Sequence, residues 1–355
     1  MNNTLKNAIE ISIIVPVFNG EKFLRECLES LTHQGFVEEK HEIIVVNDGS
    51  TDKTEEIIDS FSSRFNYMKK INTSNKGVSS ARNAGLAIAN GKYLAFIDAD
   101  DYVVENCYLQ IIDIIEKKEL DGFCFDMTSD ARKLEILTGG VNPPIKRKQR
   151  NCTMSACRNI YLRRIISENK LQFNPQIRYN EDFAFNYMYS QLTTRGIGYL
   201  KKNLYYCRPH VDSVCHLFKR QTQSIGNSMR SIQEITDHGN VDYIYRYYNS
   251  VKLATIEIKK FTRQHFLPQD AYYYEALAAP LSSLLWCAMI SHLNPTEVID
   301  DLRNNGLSLS ELKAKRFEGA SFKYKIKSEI QFYFRYPTFF KIACWLYRHV
   351  SGYVK

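Results

Sequence analysis

The stretch "ISIIVPVFNGEKFLRECLESLTHQ", residues 11–34, sets the architecture of the N-terminal part of the chain. Residues 11–18 are a β-branched run, which predicts a buried strand. Residues 21–34 predict a helix, because the apolar side chains fall on one stripe: Phe23, Leu24, Cys27, Leu28 and Leu31. A buried strand that leads into an amphipathic helix is the repeating unit of α/β folds.

Strand and helix patterns keep alternating up to about residue 125. Further strands are predicted over "HEIIVVND" (41–48), "MKKINTS" (68–74) and "KYLAFID" (92–98). Helices are predicted between them, over 51–63 and 78–90. Ser50 or Thr51 is the expected cap of the first helix, and Gly91 the expected left-handed residue that closes the second. This alternation predicts a mainly parallel, Rossmann-like sheet with right-handed crossovers.

Polar residues follow three predicted strands at their carboxyl ends: "VFN" at 17–19, "NDGS" at 47–50 and "DADD" at 98–101. Ligands of parallel α/β sheets bind beyond these ends, so we expect the three segments to converge. The first strand is not followed by GxGxxG, and no P-loop spacing is present, so the sequence lacks both common phosphate-binding fingerprints.

Three acids crowd the last of these ends, at Asp98, Asp100 and Asp101. A lone aspartate here would indicate only a turn or a helix cap. Crowded carboxylates raise one another's pKa unless a cation compensates, and Mg²⁺ or Mn²⁺ prefers oxygen ligands. Because such a metal takes further ligands from substrate phosphates, the cluster predicts a metal–diphosphate site.

A second acidic pair, Glu181 and Asp182, follows Asn180 in "NED". Acids are favourable at a helix N-terminus, and "FAFNYMY" continues as an amphipathic helix. A carboxylate held there is also fixed in orientation while remaining able to take a proton, so a structural and a catalytic interpretation are compatible.

Composition limits the class of protein. With 355 residues, 44% hydrophobic and 24% charged, the chain is typical of a globular protein of two domains. Its formal charge of +8 suggests an anionic partner. The nine cysteines contain no CxxC pair, which indicates reduced thiols in a cytoplasmic protein, and we identify no signal peptide. The apolar run 276–291 is too short to span a membrane and predicts a buried helix.

The pattern turns helical in the last third, and we predict domains at 1–218 and 219–355. The final segment, 326–355, mixes aromatic and basic residues, with Pro337 suited to the first turn of a last helix. This segment fits peripheral contact with the inner face of the cell membrane. It fits equally well a terminal helix that docks on its own core or on a second subunit.

Four motifs in order carry a family resemblance: "ISIIVPVFNGEKFLRECLESL", "EIIVVNDGSTDKT", "NKGVSSARNAGLAIANGKYLAFIDADD" and "NEDFAF". Over roughly residues 9–215 the chain resembles a family 2 glycosyltransferase of the GT-A fold, a family that builds bacterial cell-surface polysaccharides. The resemblance implies an enzyme that moves a sugar, with inversion and with Mn²⁺ or Mg²⁺, from a nucleotide-sugar. A UDP-linked donor and a saccharide or lipid-linked acceptor are expected.

The resemblance also implies roles for the donor-site residues. Asp48 would accept a hydrogen bond from the base, Asp98 would contact the ribose, and Asp100 would bind the metal. Arg208 would pair with phosphate oxygens, and His210 or His216 would complete the metal shell, with the third ligand open. The remaining residues expected along the nucleotide-sugar are Pro16, Val17, Phe18, Asn19, Lys76, Arg82 and Ala99.

For catalysis the resemblance assigns the general base to Asp182, with Glu181 positioning the acceptor or supporting the base. An exchange of these two roles stays open. Asp101 is expected to support the site or to start the following helix.

Three other functional classes fit the sequence less well than a glycosyltransferase. A nucleic-acid-binding protein would use the positive charge, but the bases form no stripe interleaved with aromatics and the acids would repel phosphates, so we expect no nucleic-acid partner. A nucleotidyltransferase on a related fold needs a glycine- and base-rich loop after the first strand, whereas "VFNGEKF" has one glycine and one lysine. A silent scaffold is disfavoured by the intact acids.

Overall fold

The computed structural model describes residues 8–137, 146–148, 155–210, 243–265, 281, 284–285, 288–289, 293–309 and 337–350. The chain divides into two compact units, one formed by Met1–Pro175 and Glu181–Pro209, the other by Gln176–Asn180 and His210–Lys355. The boundary predicted between 218 and 219 lies outside the described residues and stays a prediction.

The first unit is built on one mixed sheet. Its strands, within the described residues, are β1 (Ile11–Val17), β2 (His41–Asn47), β3 (Met68–Asn72), β4 (Tyr93–Phe96), β5 (Tyr102–Val103), β6 (Gly122–Thr128), β7 (Lys146–Lys148), β8 (Asn159–Leu162) and β9 (Ile197–Tyr206). The order is β3-β2-β1-β4-β8-β6-β9-β5, and β7 also pairs with β9. Strands β1 to β4 are parallel, as are β6 and β9, whereas β8 is antiparallel to both of its neighbours.

Helices follow most of these strands. The first unit contains α1 (Leu24–Thr32), α2 (Thr54–Ser62), α3 (Val78–Ile88), α4 (Cys107–Lys117), α5 (Arg163–Glu168) and α6 (Glu181–Leu192), and the second contains α7 (Tyr243–His265), α8 (Pro295–Asn304) and α9 (Pro337–Val350). The α/β, Rossmann-like class with helices in the C-terminal region is therefore confirmed. Pro337 is the first residue of α9, as predicted.

Strands β1 and β2 lie inside the sheet and are buried on both of its faces. All seven residues of each strand are buried. The one acid among them, Glu42, is compensated: its carboxylate accepts hydrogen bonds from Ser12 at 2.6 Å and from the Asn90 N–H at 2.7 Å, and it pairs with Lys69 at 2.6 Å. The β1–β2 pair thus forms a rigid base under the loops at its carboxyl end.

Two details of the local predictions are wrong. Gly91 is not among the residues with positive φ. A Cβ there would lie 2.4 Å from the backbone nitrogen of Ser12, so close approach of two backbone segments, and not a left-handed turn, requires glycine. Neither Ser50 nor Thr51 caps α2; the Asp52 carboxylate accepts the Thr54 N–H at 3.0 Å instead.

An aromatic layer holds the N-terminal half of α6 against the sheet. Phe173 stacks on Phe185 with ring centroids 4.1 Å apart, and both meet Phe96 of β4 edge-on. The side chain of Asn83 on α3 accepts the Phe173 N–H at 2.9 Å and donates to its carbonyl at 2.7 Å. The start of α6 is therefore tied to both β4 and α3.

The second unit has an apolar core of its own, which includes Tyr248, Val298, Leu302 and Phe340. The described residues of the predicted buried helix at 276–291 belong to this core: Leu281, Leu284, Leu285, Ala288 and Met289. Within the described ranges, none of the helices is both long enough and apolar enough to cross a membrane.

Candidate active site

The loops after β1 and β2 are bound to each other. Asn19, in the left-handed region with φ 50°, donates its N–H to Ser50 Oγ at 2.9 Å and accepts the Thr51 N–H at 2.9 Å. The Gly20 N–H donates to Thr54 Oγ1 at 2.7 Å. Two of the three predicted polar segments therefore converge as one surface, and Phe18 stands on it with 48% of its area exposed.

Asp48, at the end of β2, holds the loop that precedes α3. Its buried carboxylate accepts hydrogen bonds from Thr73 Oγ1 at 2.8 Å, from the Lys76 N–H at 3.1 Å and from the Gly77 N–H at 2.8 Å. The Lys76 side chain is exposed on this loop. The predicted contacts of Asp48 and Lys76 with a nucleotide stay predictions, but the carboxylate has a definite structural task in the free protein.

The acidic segment after β4 is folded into a turn in which the Asp101 N–H donates to the Asp98 carbonyl at 3.0 Å. Asp101 is buried, and its carboxylate accepts the Tyr205 hydroxyl at 2.8 Å and the Arg208 N–H at 2.7 Å. The same Tyr205 oxygen accepts the Asp98 N–H at 3.1 Å. Burial and then the charges of Asp98 and Asp100 raise the pKa of Asp101 to about 8. Asp101 therefore supports the turn and does not begin a helix.

Arg208, two residues after the end of β9, contacts this turn. Its Nε donates to the backbone oxygen of Asp100 at 2.9 Å, and its guanidinium pairs with Glu26 of α1. The guanidinium carbon also lies 4.7 Å from the centre of the Phe23 ring. Arg208 is thus held beside the turn by an acid and an aromatic ring, and its contact with phosphate stays a prediction.

The predicted metal ligands are Asp100 and His210. Asp100 lies on the acidic turn, whereas His210 is partly buried at the start of the second compact unit. Over the described parts of the chain, no three His, Cys, Asp or Glu side chains are already grouped so as to hold an ion. The metal roles of Asp100 and His210 remain predictions.

Arg82 of α3 joins the acidic turn to the start of α6. Its two terminal nitrogens pair with different acids, one with Asp98 at 3.0 Å and the other with Glu181 at 2.8 Å. Burial opposes its charge, but Asp98 and then Glu181 keep the pKa of Arg82 above its ordinary value. This bridge brings the "DADD" and "NED" segments, which are distant in sequence, into one constellation.

Asp182 lies beside this bridge at the first turn of α6. Burial and then the neighbouring charge of Glu181 raise the pKa of Asp182 to about 7, although Arg82 acts in the opposite direction. Its carboxylate accepts the N–H of Phe183 at 2.8 Å. A carboxyl group of this pKa exchanges its proton near neutral pH, as a general base requires.

Several residues of the site have no signal in the sequence. Tyr205, Asn83, Phe173 and Glu26 all orient predicted site residues. Each contacts a residue that is far away in the chain, so even Glu26 and Asn83, which lie inside quoted motifs, cannot be assigned these contacts from the sequence. Glu26 is the one charged residue of these four. A charged residue on an amphipathic helix usually lies on the solvated face, so its charge does not identify it as a site residue.

Tyr205→Phe tests the support of the acidic turn. We expect this substitution to lower the free energy of unfolding by about 1–3 kcal/mol, because it leaves the Asp98 N–H and one Asp101 oxygen without their partner. Tyr108→Phe is the matched control, since the buried Tyr108 hydroxyl has no hydrogen-bond partner in the part of the chain that the structure describes. Urea unfolding of both variants measures the difference, and equal losses would contradict the role given to Tyr205.

Comparison with known proteins now adds to this geometry. Residues 12–156 match the profile of the family described as "Glycosyl transferase family 2". The "Uncharacterized glycosyltransferase EpsJ" of Bacillus subtilis is 32% identical over 58% of this chain and 63% of its own length. The Staphylococcus aureus "Poly(ribitol-phosphate) beta-N-acetylglucosaminyltransferase TarS" is 27% identical over 56% of this chain and 35% of its own. The chain thus spans less than two thirds of either curated relative.

A solved structure resembles the fold over nearly the whole chain. The crystal structure of S. aureus TarS 1–349 in complex with UDP-GlcNAc matches with a TM-score of 0.68 and 20% sequence identity. The match covers 96% of this chain and 92% of that one. At this identity the likeness concerns the fold.

Proposed function

We propose that this chain, whose residues 12–156 match glycosyltransferase family 2, transfers a sugar, with inversion, from a UDP-linked donor to a saccharide or lipid-linked acceptor. The observation that carries the proposal is Asp182, whose carboxyl group has a pKa of about 7 and stands beside the acidic turn that ends β4. Such a transfer needs a general base close to the segment that binds the donor.

The donor would lie along the joined loops after β1, β2 and β4. Phe18 offers an exposed ring for the base, and Asp98 remains partly exposed for the ribose. The ligands in the complexes of the S. aureus neighbour, UDP-GlcNAc and UDP, support a UDP-linked donor. Asp48 would contact the base only by sharing a carboxylate that already binds the Lys76 and Gly77 N–H groups.

The acidic turn fits a hard divalent cation such as Mn²⁺ or Mg²⁺. Its three acids supply oxygen ligands only, and burial, then the charges of Asp98 and Asp100, raise the pKa of Asp101. Asp100 would hold the ion, with His210 as a candidate further ligand. When bound, the ion would offset the charge that develops on the leaving diphosphate.

In the transfer, Asp182 would take the proton of the acceptor hydroxyl as its oxygen attacks the anomeric carbon. The bond between that carbon and the diphosphate oxygen breaks, UDP leaves, and the proton on Asp182 is later lost to solvent. Glu181 is paired with Arg82 at 2.8 Å, so its charge is engaged, and this favours Asp182 as the base with Glu181 in support. Arg208, held beside the turn, would pair with the diphosphate.

For the acceptor we propose a glycan or lipid-linked precursor of a cell-surface polysaccharide, handled at the cytoplasmic side. The names of relatives such as the S. aureus poly(ribitol-phosphate) transferase and a Bacillus spizizenii poly(ribitol-phosphate) beta-glucosyltransferase support this class. The net charge of +8 suits an anionic acceptor. Exposed Ile342 and Trp345 on α9 leave membrane contact or self-association as further proposals.

A donor screen tests the proposal. The full chain is incubated with Mn²⁺ or Mg²⁺ and with UDP-GlcNAc, UDP-glucose, UDP-galactose and GDP-mannose, and release of nucleoside diphosphate is measured. We expect UDP release from at least one UDP-sugar and its loss in EDTA. No release from any donor, or pyrophosphate formation from UTP and a sugar phosphate, would contradict it and favour the nucleotidyltransferase alternative.

A further inference from the structure

Arg82 is the link between the two acidic segments of the site. It projects from α3, and its guanidinium reaches Asp98 after β4 and Glu181 at the start of α6, at 3.0 and 2.8 Å. Only 5% of the side chain is exposed, whereas 39% of Asp98 is. One nearly inaccessible cation therefore connects an acid that faces the donor site with an acid adjoining the proposed base.

The position of this guanidinium depends on those two acids. Its Nε is buried and has no hydrogen-bond partner among the described residues. Its flat face lies over the ring of Phe173, 5.2 Å from the ring centre, and a stacked guanidinium of this kind is restricted in orientation. Asn83, the next residue, binds both backbone groups of Phe173. These hydrogen bonds tie α3 to Phe173 beside Arg82, and so they restrict the position of the Arg82 backbone.

We propose that Arg82 is a positioning residue, which joins the donor-side carboxylate of Asp98 to Glu181 and supplies the positive charge that allows Asp182 to act as a base. This inference rests on the proposed function and goes beyond the contact with base or diphosphate expected for Arg82 from the family resemblance. Each terminal nitrogen already donates to a carboxylate, so Arg82 acts on the reaction through those acids.

The balance of charge around Asp182 shows why one cation matters. The groups that face Asp182 are Glu181 on its own helix, Asp98 after β4, Arg82 on α3 and the phenol of Tyr161 on β8. Cys157 also adjoins Arg82. Without Arg82, the charges of Glu181 and Asp98, which raise the pKa of Asp182, would act without the cation that lowers it. Asp182 would then keep its proton at neutral pH and could not accept one from the acceptor.

Three substitutions separate the charge of Arg82 from its geometry. Arg82→Met removes the charge, Arg82→Lys keeps the charge but cannot bridge two acids as a planar fork does, and Glu181→Gln removes a neighbouring negative charge. Arg158→Lys is the matched control, because Arg158 is also partly buried and paired, but with Asp126 at 2.7 Å.

The first measurement is independent of activity. Protein labelled with ¹³C at the aspartate carboxyl carbons is titrated by NMR, with the Asp182 signal assigned through Asp182→Asn. Relative to the wild type, we expect the Asp182 midpoint to rise by about one pH unit or more in Arg82→Met and to fall in Glu181→Gln. It should stay within a few tenths of a unit in Arg82→Lys and in the control. An unchanged Asp182 midpoint in Arg82→Met would overturn the inference. Should Arg82→Met not fold, Arg82→Gln takes its place, with the same expected rise of the midpoint.

The second measurement is kinetic. Arg82→Lys is expected to lower kcat at least about tenfold while the dissociation constant of UDP changes less than about threefold, because a misplaced base slows chemistry more than donor binding. A loss confined to UDP affinity would overturn the inference and make Arg82 a diphosphate ligand. Absence of transfer by the wild type would refute the proposed function and leave the NMR result to judge Arg82.

Discussion

Asp182→Asn is expected to lower kcat for sugar transfer by about 10²–10⁴-fold, the usual contribution of a general base. The asparagine keeps the size and the hydrogen bond from the Phe183 N–H but cannot accept a proton from the acceptor. UDP binding should change little, because the lost group acts on the acceptor side. The measurement is the initial rate of UDP release with each variant at saturating donor, together with UDP affinity by calorimetry.

Asp113→Asn is the control for this substitution, since Asp113 is an exposed acid on α4 paired with Lys117. It should leave the rate within a factor of about two, as expected for surface changes. Full transfer activity in Asp182→Asn would remove Asp182 from the role of base. Equal losses in Asp182→Asn and Glu181→Gln, each with UDP binding retained, would show that the two acids cannot be separated as base and support.

The raised pKa of Asp182 also has a consequence for stability. The folded carboxyl group, with a pKa of about 7, holds its proton more tightly than an unfolded aspartate does. The folded state is therefore penalised as pH rises from about 4 to about 7, and the full penalty is present above that range. We expect Asp182→Asn to be more stable than the wild type at pH 8 and to lose this advantage near pH 4, as thermal unfolding at both pH values would show. A variant less stable at pH 8 would contradict it.

Asp100→Asn is expected to produce the second large effect, a loss of about 10²-fold or more in kcat/KM, since stabilisation of a leaving group by a metal ion is worth several kcal/mol. Asparagine keeps the shape of the turn but removes one negative charge. Calorimetry with UDP, with and without Mn²⁺, is the direct measurement. The wild type should bind UDP more tightly with the ion, and the variant should lose most of that difference.

Asp101→Asn serves as the comparison for Asp100→Asn. Asp101 is buried, and its carboxylate accepts hydrogen bonds from Tyr205 and Arg208. Its substitution should therefore mainly lower the free energy of unfolding, with less effect on the tightening of UDP binding by Mn²⁺. UDP binding that is independent of the ion and unaffected in Asp100→Asn would contradict the proposal that Asp100 binds the metal.

The parallel half of the fold was predictable because its signals are local. The β-branched runs that became β1 and β2 and the amphipathic stripe of α1 depend on neighbouring residues alone. The convergence of Asn19 and Ser50 followed from a rule of topology, since parallel strands place their carboxyl ends at one edge. The distinct roles of Asp98, Asp100 and Asp182 came from the family resemblance and remain proposals.

The other half of the sheet, in which parallel and antiparallel pairs are mixed, was not predictable from the same signals. Strand β8 enters the sheet between β4 and β6 in a direction that no local periodicity encodes, and β6 joins β9 through an irregular register near Phe125 and Asp126. Tyr205 reaches Asp98 and Asp101 because β9 pairs with β5, the strand that directly follows the acidic turn. Gly91 looked like a helix terminator because the sequence does not reveal that Ser12 packs against it.

The bridge made by Arg82 belongs to the same class of long-range features. A basic residue inside "SSARN" predicts a cation on a helix, but only the packing of α3 against β1 and β2 brings Arg82 within reach of the two acids. Because Arg82 is buried, we assign it a different role from the one that the motif suggests. It positions the neighbouring acids and does not contact the ligand.

The stereochemistry of the released sugar tests the central claim most directly. Wild-type protein is incubated with an α-linked UDP-sugar in the presence of Mn²⁺ and without acceptor, so that water takes the place of the acceptor hydroxyl, and ¹H NMR follows the anomeric signals from the first minutes. The account predicts that the β-anomer appears first, together with UDP, and that Asp182→Asn forms neither. Initial release of the α-anomer, or UDP release that persists in Asp182→Asn, would contradict it.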